Sequence, residues 1–251
     1  MRILFISDLH LSEERPETIR AFLAFLGGPA RQASALYILG DLFEYWAGDD
    51  DDPPLNGLVA DALRALAESG VHVYFIAGNR DFLLGEQFAA QAGLTLLPDP
   101  SEIVLDDRAT VLVSHGDALC TDDTAYQQYR AQVRDDAWQR RFLARPLVER
   151  KAFIEDLRQR STLAKRDKPI EIMDVNADAV ARMLRQYDYP TLIHGHTHRP
   201  ARHLHLIDGK HCERWVLSDW HDDAPYLIWN GASIEARRFP PRSATIGAAP
   251  D

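Results

Sequence analysis

The chain has 251 residues, of which 46% are hydrophobic and 26% charged, and its 14 Gly and 14 Pro exclude a collagen-like or low-complexity protein. The 28 Lys and Arg residues against 38 Asp and Glu residues give a net charge of −10, the wrong sign for coating nucleic acid, so we expect no nucleic-acid partner. Two cysteines exclude a disulfide framework, and no run approaches the roughly 18 apolar residues of a membrane span, so we expect a cytoplasmic protein without a signal peptide.

Short apolar runs recur along the chain and predict buried strands at residues 3–6, 36–39, 71–76, 110–113 and 191–193. Apolar residues at helical spacing between the first three runs predict helices at residues 18–26 and 58–69, with Gly70 as a C-cap. Later residues predict a hairpin across 102–113 and strands at 215–217 and 226–229. This order predicts an α/β sandwich of mixed sheets flanked by helices, forming one domain over residues 1–251.

Residues 126–168 differ in character from the rest of the chain. Strand signals vanish, and two helical patterns lie on either side of Pro146. The segment has 12 Lys and Arg residues against 6 Asp and Glu residues, a net of +6, which leaves 16 against 32 in the remainder. A basic, aromatic-bearing helical insertion suits an anionic amphiphile or a membrane surface. The alternative is a helical hairpin that caps the core and presents a solvated face.

Side chains that bind metals follow five of the predicted strands. They are Asp8 and His10, Asp41, Asn79, His115, and His196 and His198. Ligands of α/β proteins bind outside the carboxyl ends of the strands, so these five stretches are expected to meet at one site. Seven donors are too many for one ion but suit two divalent cations bridged by one carboxylate. Carboxylate, imidazole and amide donors without cysteine suit Mn²⁺, Fe²⁺ or Zn²⁺.

This ordered set resembles the calcineurin-like metallophosphoesterase superfamily. The resemblance implies that one cation takes Asp8, His10, Asp41 and His198, while the other takes Asn79, His115 and His196, with Asp41 bridging. The superfamily usually has His after the Asn, whereas this chain has Arg80. That departure helps to choose the family within the superfamily.

At finer grain the chain is similar to the UDP-2,3-diacylglucosamine pyrophosphatases of lipid A biosynthesis. The stretches that carry this resemblance are residues 37–44, 78–85, 115–123, 172–176 and 193–200. The 115–123 and 172–176 stretches extend beyond the metal motifs, and shared metal chemistry alone would not require them. The resemblance implies two divalent cations, Mn²⁺ above all, and hydrolysis at the α-phosphorus to UMP and 2,3-diacylglucosamine 1-phosphate.

The resemblance also implies which residues contact the substrate: Asn79, Arg80, Asp123, Ser161, Lys165, Lys168 and His196. Arg80 and His196 are expected to stabilise the charge that develops at phosphorus, so they are the candidate catalytic residues. Lys165 departs from the family, which often has Asn there. For Lys165 and Lys168 the alternative is a solvated helix end.

The insertion is then expected to form a lid that receives the acyl chains and lies against anionic lipid. The protein would be cytoplasmic and peripheral to the inner membrane of a Gram-negative bacterium, with no obligate protein partner. Two alternatives remain open. Another dinuclear metallophosphoesterase, acting on a phosphoprotein, cyclic nucleotide or nucleic acid, would keep the metal residues without needing an apolar lid. A non-catalytic scaffold would have no reason to keep all seven metal-binding positions.

Asp81 and Asp117 are expected to orient metal ligands or Arg80. Trp46 is expected to line the site. The acidic run at residues 49–52 is interpreted as a solvated loop. His194 belongs to the end of its predicted strand and is excluded from the metal ligands.

Overall fold

The computed structural model describes residues 2–106, 109–167 and 174–239, without the side chains of residues 159–167. Two mixed β-sheets form its centre. The six-stranded sheet has the order β11 (Ile234–Phe239), β10 (Ala224–Trp229), β1 (Ile3–Ile6), β2 (Ala35–Ile38), β3 (His72–Ile76) and β4 (Leu94–Leu97). The five-stranded sheet has the order β5 (Ser101–Asp106), β6 (Ala109–Ser114), β7 (Thr191–His194), β9 (Lys210–Val216) and β8 (Ala201–Ile207).

The α-helices of the described residues cover the outer faces of this pair of sheets and fill the predicted insertion. They are α1 (Pro16–Gly27), α2 (Pro54–Glu68), α3 (Glu86–Ala92), α4 (Thr124–Val133), α5 (Asp136–Leu143), α6 (Leu147–Asp167) and α7 (Ala177–Gln186). Two short 3₁₀ helices, Pro29–Gln32 and Asp117–Leu119, connect elements. The predicted sandwich of mixed sheets flanked by helices is confirmed.

The alternation of side chains along the strands builds two apolar layers from one short sequence. In β1, Leu4 and Ile6 pack with the helices, while Ile3 and Phe5 lie in the cluster between the two sheets. Successive strand residues point to opposite faces, so a strand buried on both sides must be apolar throughout. The continuous run at residues 3–6 therefore indicates a central strand, and β1 is paired on both edges.

The predicted strands match the structure within one residue at most ends, but several elements were missed. β8 and β11 are edge strands, and their exposed residues leave no continuous apolar run. α3 is only seven residues long, which is short for recognition from periodicity. Strand β9 begins five residues before the predicted start at residue 215 because its first half alternates with polar side chains.

The insertion contains three helices rather than the two predicted. Asp135 accepts a hydrogen bond from the backbone N–H of Trp138 and so begins α5 as a separate helix after α4 ends. Of the residues proposed to contact substrate, Ser161 and Lys165 belong to α6, but their side chains lie outside the described part of the chain. Lys168 lies outside the described residues altogether.

The acidic run at residues 49–52 is only partly the solvated loop that we expected, because Asp50 and Asp52 are exposed whereas Asp51 is buried and Asp49 is half-buried. The Asp49 carboxylate accepts hydrogen bonds from three backbone N–H groups at the start of α3 and from Nε1 of Trp46. Asp50 pairs with Arg150 of α6, whose side chain is only 2% exposed, and Lys151 lies 2.7 Å from Asp51. Two basic residues of the insertion thus hold α6 against the acidic remainder of the protein.

The loops after β2 and β3 approach each other so closely that glycine is required. A Cβ atom on Gly78 would lie 2.1 Å from Oδ1 of Asp41 and 2.3 Å from its backbone nitrogen. Distances this short cannot be relieved without moving backbone. The sequence Gly78-Asn79 therefore places Asn79 beside Asp41 only because residue 78 has no side chain.

We predict that Gly78→Ala lowers the free energy of unfolding by about 1–3 kcal/mol, since the added methyl group displaces the Asp41 loop. Chemical denaturation in the presence of a chelator measures this without any contribution from bound metal. Gly57→Ala in α2 is the control, because its new Cβ would meet no atom within 4 Å. It should leave stability unchanged or raise it by up to about 1 kcal/mol. Equal effects of the two substitutions would contradict the steric argument.

Candidate metal centre

All seven predicted metal-binding side chains meet at the carboxyl ends of five strands. Strands β1, β2 and β3 run parallel in one sheet, and β6 and β7 run parallel in the other. Each residue lies one to four positions beyond its strand, where the chain leaves the sheet. The two facing sheets therefore bring residues that are up to 190 positions apart in the sequence into one cluster.

One group of donors consists of Asp8, His10 and His198. Nε2 of His198 lies 3.3 Å from Oδ1 of Asp8 and 3.3 Å from Nε2 of His10. Asp8 is buried, and its Oδ1 has no hydrogen-bond partner among the described residues. The ligand atoms of the three residues all lie within 4.8 Å of one another, close enough to share one ion.

The second group is formed by Asn79, His115 and His196. Oδ1 of Asn79 lies 3.0 Å from Nε2 of His115 and 2.8 Å from Nδ1 of His196. Asp41 lies between the two groups. Its Oδ2 is 3.8 Å from Nε2 of His10, and its Oδ1 is 3.8 Å from Nε2 of His115. Each oxygen of this carboxylate thus faces a different group, as a bridging ligand requires.

The tautomer of His115 shows that the cluster fits divalent cations. Its Nδ1 lies 2.9 Å from the carbonyl oxygen of Leu39, which only accepts hydrogen bonds, so Nδ1 carries the proton. In the neutral ring, the form that binds a metal, Nε2 then has a lone pair, and it faces the oxygens of Asn79 and Asp41. Three acceptors that point at one another repel unless a cation lies among them. The donor set of oxygen and imidazole nitrogen, without sulfur, suits Mn²⁺, Fe²⁺ or Zn²⁺.

The carboxylates of the site attract positive charge strongly. Burial by itself lowers the pKa of His115, but Asp41, Asp117 and Asp8 outweigh it and raise the pKa to about 9. Burial also opposes protonation of His198, yet its neighbours Asp219 and Asp8 raise that pKa to about 10. Protons and divalent cations therefore compete for the same ring nitrogens.

The backbone of the loops that carry the proposed ligands adopts an unfavourable conformation. Eight described non-glycine residues have positive φ, and five of them are proposed ligands: Asp8, His10, Asp41, His196 and His198. Each such residue costs of order 1 kcal/mol or more, and residues of this kind cluster at functional sites. The left-handed turns direct alternate side chains toward the same point.

Asp81 holds the loop after β2 to the loop after β3. Its carboxylate accepts hydrogen bonds from the backbone N–H groups of Asp41, Leu42, Phe43 and Gly78, at 2.7 to 3.3 Å. Burial and the charge of Asp41 nevertheless raise the pKa of Asp81 to about 6. Asp81 orients the Asp41 loop through these backbone contacts and touches no imidazole ligand directly.

Asp117 is connected to the candidate metal centre through side chains of α4. Its Oδ2 accepts hydrogen bonds from Oη of Tyr126 at 2.7 Å and from Nε of Arg130 at 2.9 Å. The Tyr126 ring in turn stacks on the His196 ring, with centroids 5.9 Å apart and planes 26° apart. The first helix of the insertion thereby supports a proposed metal ligand, a contact that the sequence did not indicate.

Two further carboxylates near the ligands were missed by the sequence analysis. Oε2 of Glu44 lies 3.0 Å from Nδ1 of His10, and Oδ2 of Asp219 lies 3.4 Å from Nδ1 of His198. Glu44 belongs to the 37–44 stretch that carried the family resemblance. Asp219 follows the strand predicted at residues 215–217, so the rule that selected the other strand-end residues applies to it as well.

The structure places Arg80 beside this centre, next to Glu44 at 3.5 Å. The Nε atom of Arg80 is buried and has no hydrogen-bond partner among the described residues. Asp123 begins α4 by accepting a hydrogen bond from the backbone N–H of Tyr126 at 3.1 Å.

Trp46 and His194 are both buried in the interior of the protein. Trp46 does not line the site, because it is 3% exposed and packs against Phe43 and Phe88 in the core. His194 is fully buried. Its Nδ1 faces the carbonyl of Gly195 at 2.9 Å and its Nε2 faces Nη1 of Arg214 at 3.0 Å, in keeping with its exclusion from the ligands.

Among the helices of the described chain, none combines the length and hydrophobicity needed to cross a lipid bilayer.

Comparison with known proteins agrees with this geometry. The family model of the calcineurin-like phosphoesterases matches residues 1–200. A UDP-2,3-diacylglucosamine hydrolase of Aromatoleum aromaticum is 62% identical over 99% of this chain and 98% of its own length. Proteins of the same name from Proteus mirabilis and from Escherichia coli O81 are each 48% identical over 96% of this chain and the whole of their own length.

We predict opposite consequences for substitution of the two histidines His194 and His198. His194→Leu removes the acceptor of a buried Arg214 donor and should lower the free energy of unfolding by about 1–3 kcal/mol while leaving metal content unchanged. His198→Leu should lower metal content, because it removes a donor from the first group. Elemental analysis after dialysis against Mn²⁺, together with denaturation of the metal-free proteins, measures both. Loss of metal from the His194 variant alone would show that the assignment is wrong.

Proposed function

The chain belongs to the calcineurin-like phosphoesterase family and to its UDP-2,3-diacylglucosamine hydrolases, and we propose that it hydrolyses UDP-2,3-diacylglucosamine with two divalent cations. The products are UMP and 2,3-diacylglucosamine 1-phosphate, formed by attack of water at the α-phosphorus. The metal-dependent chemistry is supported by one observation, the convergence of two donor groups on the two oxygens of Asp41. The identity of the substrate is supported by the relatives, which match over nearly their full length.

The proposed ligands are Asp8, His10, Asp41 and His198 for one cation, and Asp41, Asn79, His115 and His196 for the other. Mn²⁺ is the proposed metal. Two divalent cations at such a site activate water for attack at phosphorus and neutralise phosphoryl oxygens. A chain with a net charge of −10 needs this local compensation to hold a diphosphate.

Arg80 is proposed to bind the diphosphate. Its buried Nε lacks a hydrogen-bond acceptor, and leaving such a donor unpaired costs free energy. A phosphate oxygen is a suitable acceptor, and a guanidinium can bind it through two N–H groups at once. His196, whose ring is held by Tyr126, is proposed to stabilise the developing charge with Arg80. Asp123, Ser161, Lys165 and Lys168 are kept as proposed substrate contacts.

The α4–α6 segment is proposed to be a lid that receives the acyl chains. Trp138 stacks on Phe142 with centroids 4.8 Å apart, and Phe153 lies 5.2 Å from Phe142. Phe82, three residues after Asn79, lies 6.4 Å from Trp138. An apolar layer therefore extends from the edge of the metal centre into the segment, with Trp138 and Phe153 partly exposed beside the buried Phe142. Each acyl CH₂ group buried there contributes about 0.8 kcal/mol to binding.

The turn between α5 and α6 is proposed to contact the membrane surface. Arg140, Arg141 and Arg145 are exposed there, together with Val148, which is 74% exposed, and Leu143. Basic side chains beside apolar ones favour an anionic lipid surface. This supports a protein on the cytoplasmic face of the inner membrane, where its lipid substrate would reside.

We predict that chelation abolishes hydrolysis of UDP-2,3-diacylglucosamine and that Mn²⁺ restores it better than Mg²⁺ or Zn²⁺. In ¹⁸O-labelled water, mass spectrometry should find the label in UMP, because water attacks the α-phosphorus. Label in the sugar phosphate would exclude that site of attack. Activity that survives chelation would contradict the metal-dependent mechanism, and faster turnover of a phosphopeptide or cyclic nucleotide would contradict the substrate.

We predict that Trp138→Ala lowers kcat/KM about tenfold for a long-chain diacyl substrate relative to a diacetyl analogue. A tenfold loss in kcat/KM corresponds to lost burial of about two CH₂ groups. Trp215→Ala in β9 is the matched control, since Trp215 packs in the cluster between the sheets, and it should leave this ratio unchanged. An unchanged ratio in the Trp138 variant would remove support for the acyl-binding role of the segment.

A further inference from the structure

The loop between β9 and β10 lies directly against the first group of proposed ligands. The backbone N–H of Trp220 donates a hydrogen bond to the carbonyl oxygen of Asp8 at 3.1 Å, which fixes the loop beside the metal centre. In this loop, Oδ2 of Asp219 lies 3.4 Å from Nδ1 of His198 and 3.2 Å from Nε2 of His221. One carboxylate oxygen thus faces two imidazole rings.

Arg15 determines which ring nitrogen of His221 carries the proton. Nη2 of Arg15 lies 2.9 Å from Nδ1 of His221, and it also donates to the carbonyl oxygen of Trp220. A guanidinium only donates hydrogen bonds, so Nδ1 of His221 accepts and the proton of that ring lies on Nε2. His221 therefore donates toward Asp219. Oδ2 of Asp219 also faces Nδ1 of His198 at 3.4 Å, so in the neutral ring with its proton on Nδ1 the lone pair lies on Nε2.

We propose that Asp219 is a positioning residue that holds His198 with Nε2 directed at the cation shared with Asp8 and His10. Arg15 and His221 support Asp219 by fixing the direction of the hydrogen bonds. A carboxylate behind a metal-binding imidazole fixes the ring and makes its free nitrogen a stronger donor. This inference rests on the proposed metal centre and is independent of the proposed substrate.

The two donor groups differ in what lies behind their imidazoles. In the first group, His10 is backed by the Glu44 carboxylate at 3.0 Å and His198 by Asp219. In the second group, His115 is backed by the neutral carbonyl of Leu39. Removal of Asp219 should therefore weaken one cation site and leave the other with its own support.

The test is Mn²⁺ binding by the metal-free full-length protein, measured by the electron paramagnetic resonance signal of free Mn²⁺ during titration. Asp219→Ala should raise the Mn²⁺ dissociation constant of one class of site about tenfold. This is at the lower end of the loss of metal affinity usually seen when a residue behind a ligand is removed, because the Asp219 side chain is partly exposed. Asp219→Asn, which keeps an acceptor but loses the charge, should fall between this variant and the natural protein. His221→Phe should produce a smaller change than Asp219→Ala.

Asp223→Asn is the matched control, because Asp223 lies in the same loop and pairs with Arg238. Circular dichroism of the metal-free variants separates lost positioning from unfolding, and if Asp219→Ala does not fold, Asp219→Asn carries the test. Equal Mn²⁺ affinity in the natural protein and in the folded Asp219 variants would overturn the inference. Failure of the natural protein to bind Mn²⁺ would instead overturn the metal centre on which the proposed function depends.

Discussion

The structure depends on the burial of carboxylates and imidazole lone pairs in one small space. Asp8, Asp41 and His115 are almost completely shielded from solvent, and their acceptor atoms point toward one another. Burying charge is costly unless it is compensated, and no Lys or Arg side chain among the described residues forms an ion pair with Asp8 or Asp41. The proposed divalent cations would provide that compensation. The left-handed backbone at five of the ligands and the glycine at position 78 are further costs of holding the arrangement.

The same demand for compensation explains how the insertion is attached. Arg130 binds Asp117 behind the metal centre, and Arg150 binds Asp50 while almost completely buried. The charge reversal between the insertion and the remainder of the chain therefore has a structural use. Among the described side chains of the insertion, the arginines near the α5–α6 turn are exposed and available to an anionic surface. The basic character of the insertion thus has two explanations, ion pairs with the rest of the protein and an exposed basic surface. Only the contacts in the structure show which basic residue belongs to which.

Prediction from the sequence was most successful where the signal is local and repeated. Buried strands such as β1 are continuous apolar runs, and the polar residues directly after them identified all seven donors that the structure gathers. It failed where the role of a residue depends on distant partners. Trp46 was placed at the site and lies in the core, while Glu44, Tyr126 and Asp219 support ligands that are far away in the sequence.

The order of strands and strand-end residues determined the fold class, the family and the candidate ligands, because periodicity and motif spacing are properties of neighbouring residues. The tertiary structure alone decided which oxygen of Asp41 faces which group, which nitrogen of His115 faces the Leu39 carbonyl, and that the acidic run at residues 49–52 anchors two helices. Those properties depend on distances of a few ångströms between residues separated by tens to nearly two hundred positions. Such distances are fixed only when the two sheets pack face to face.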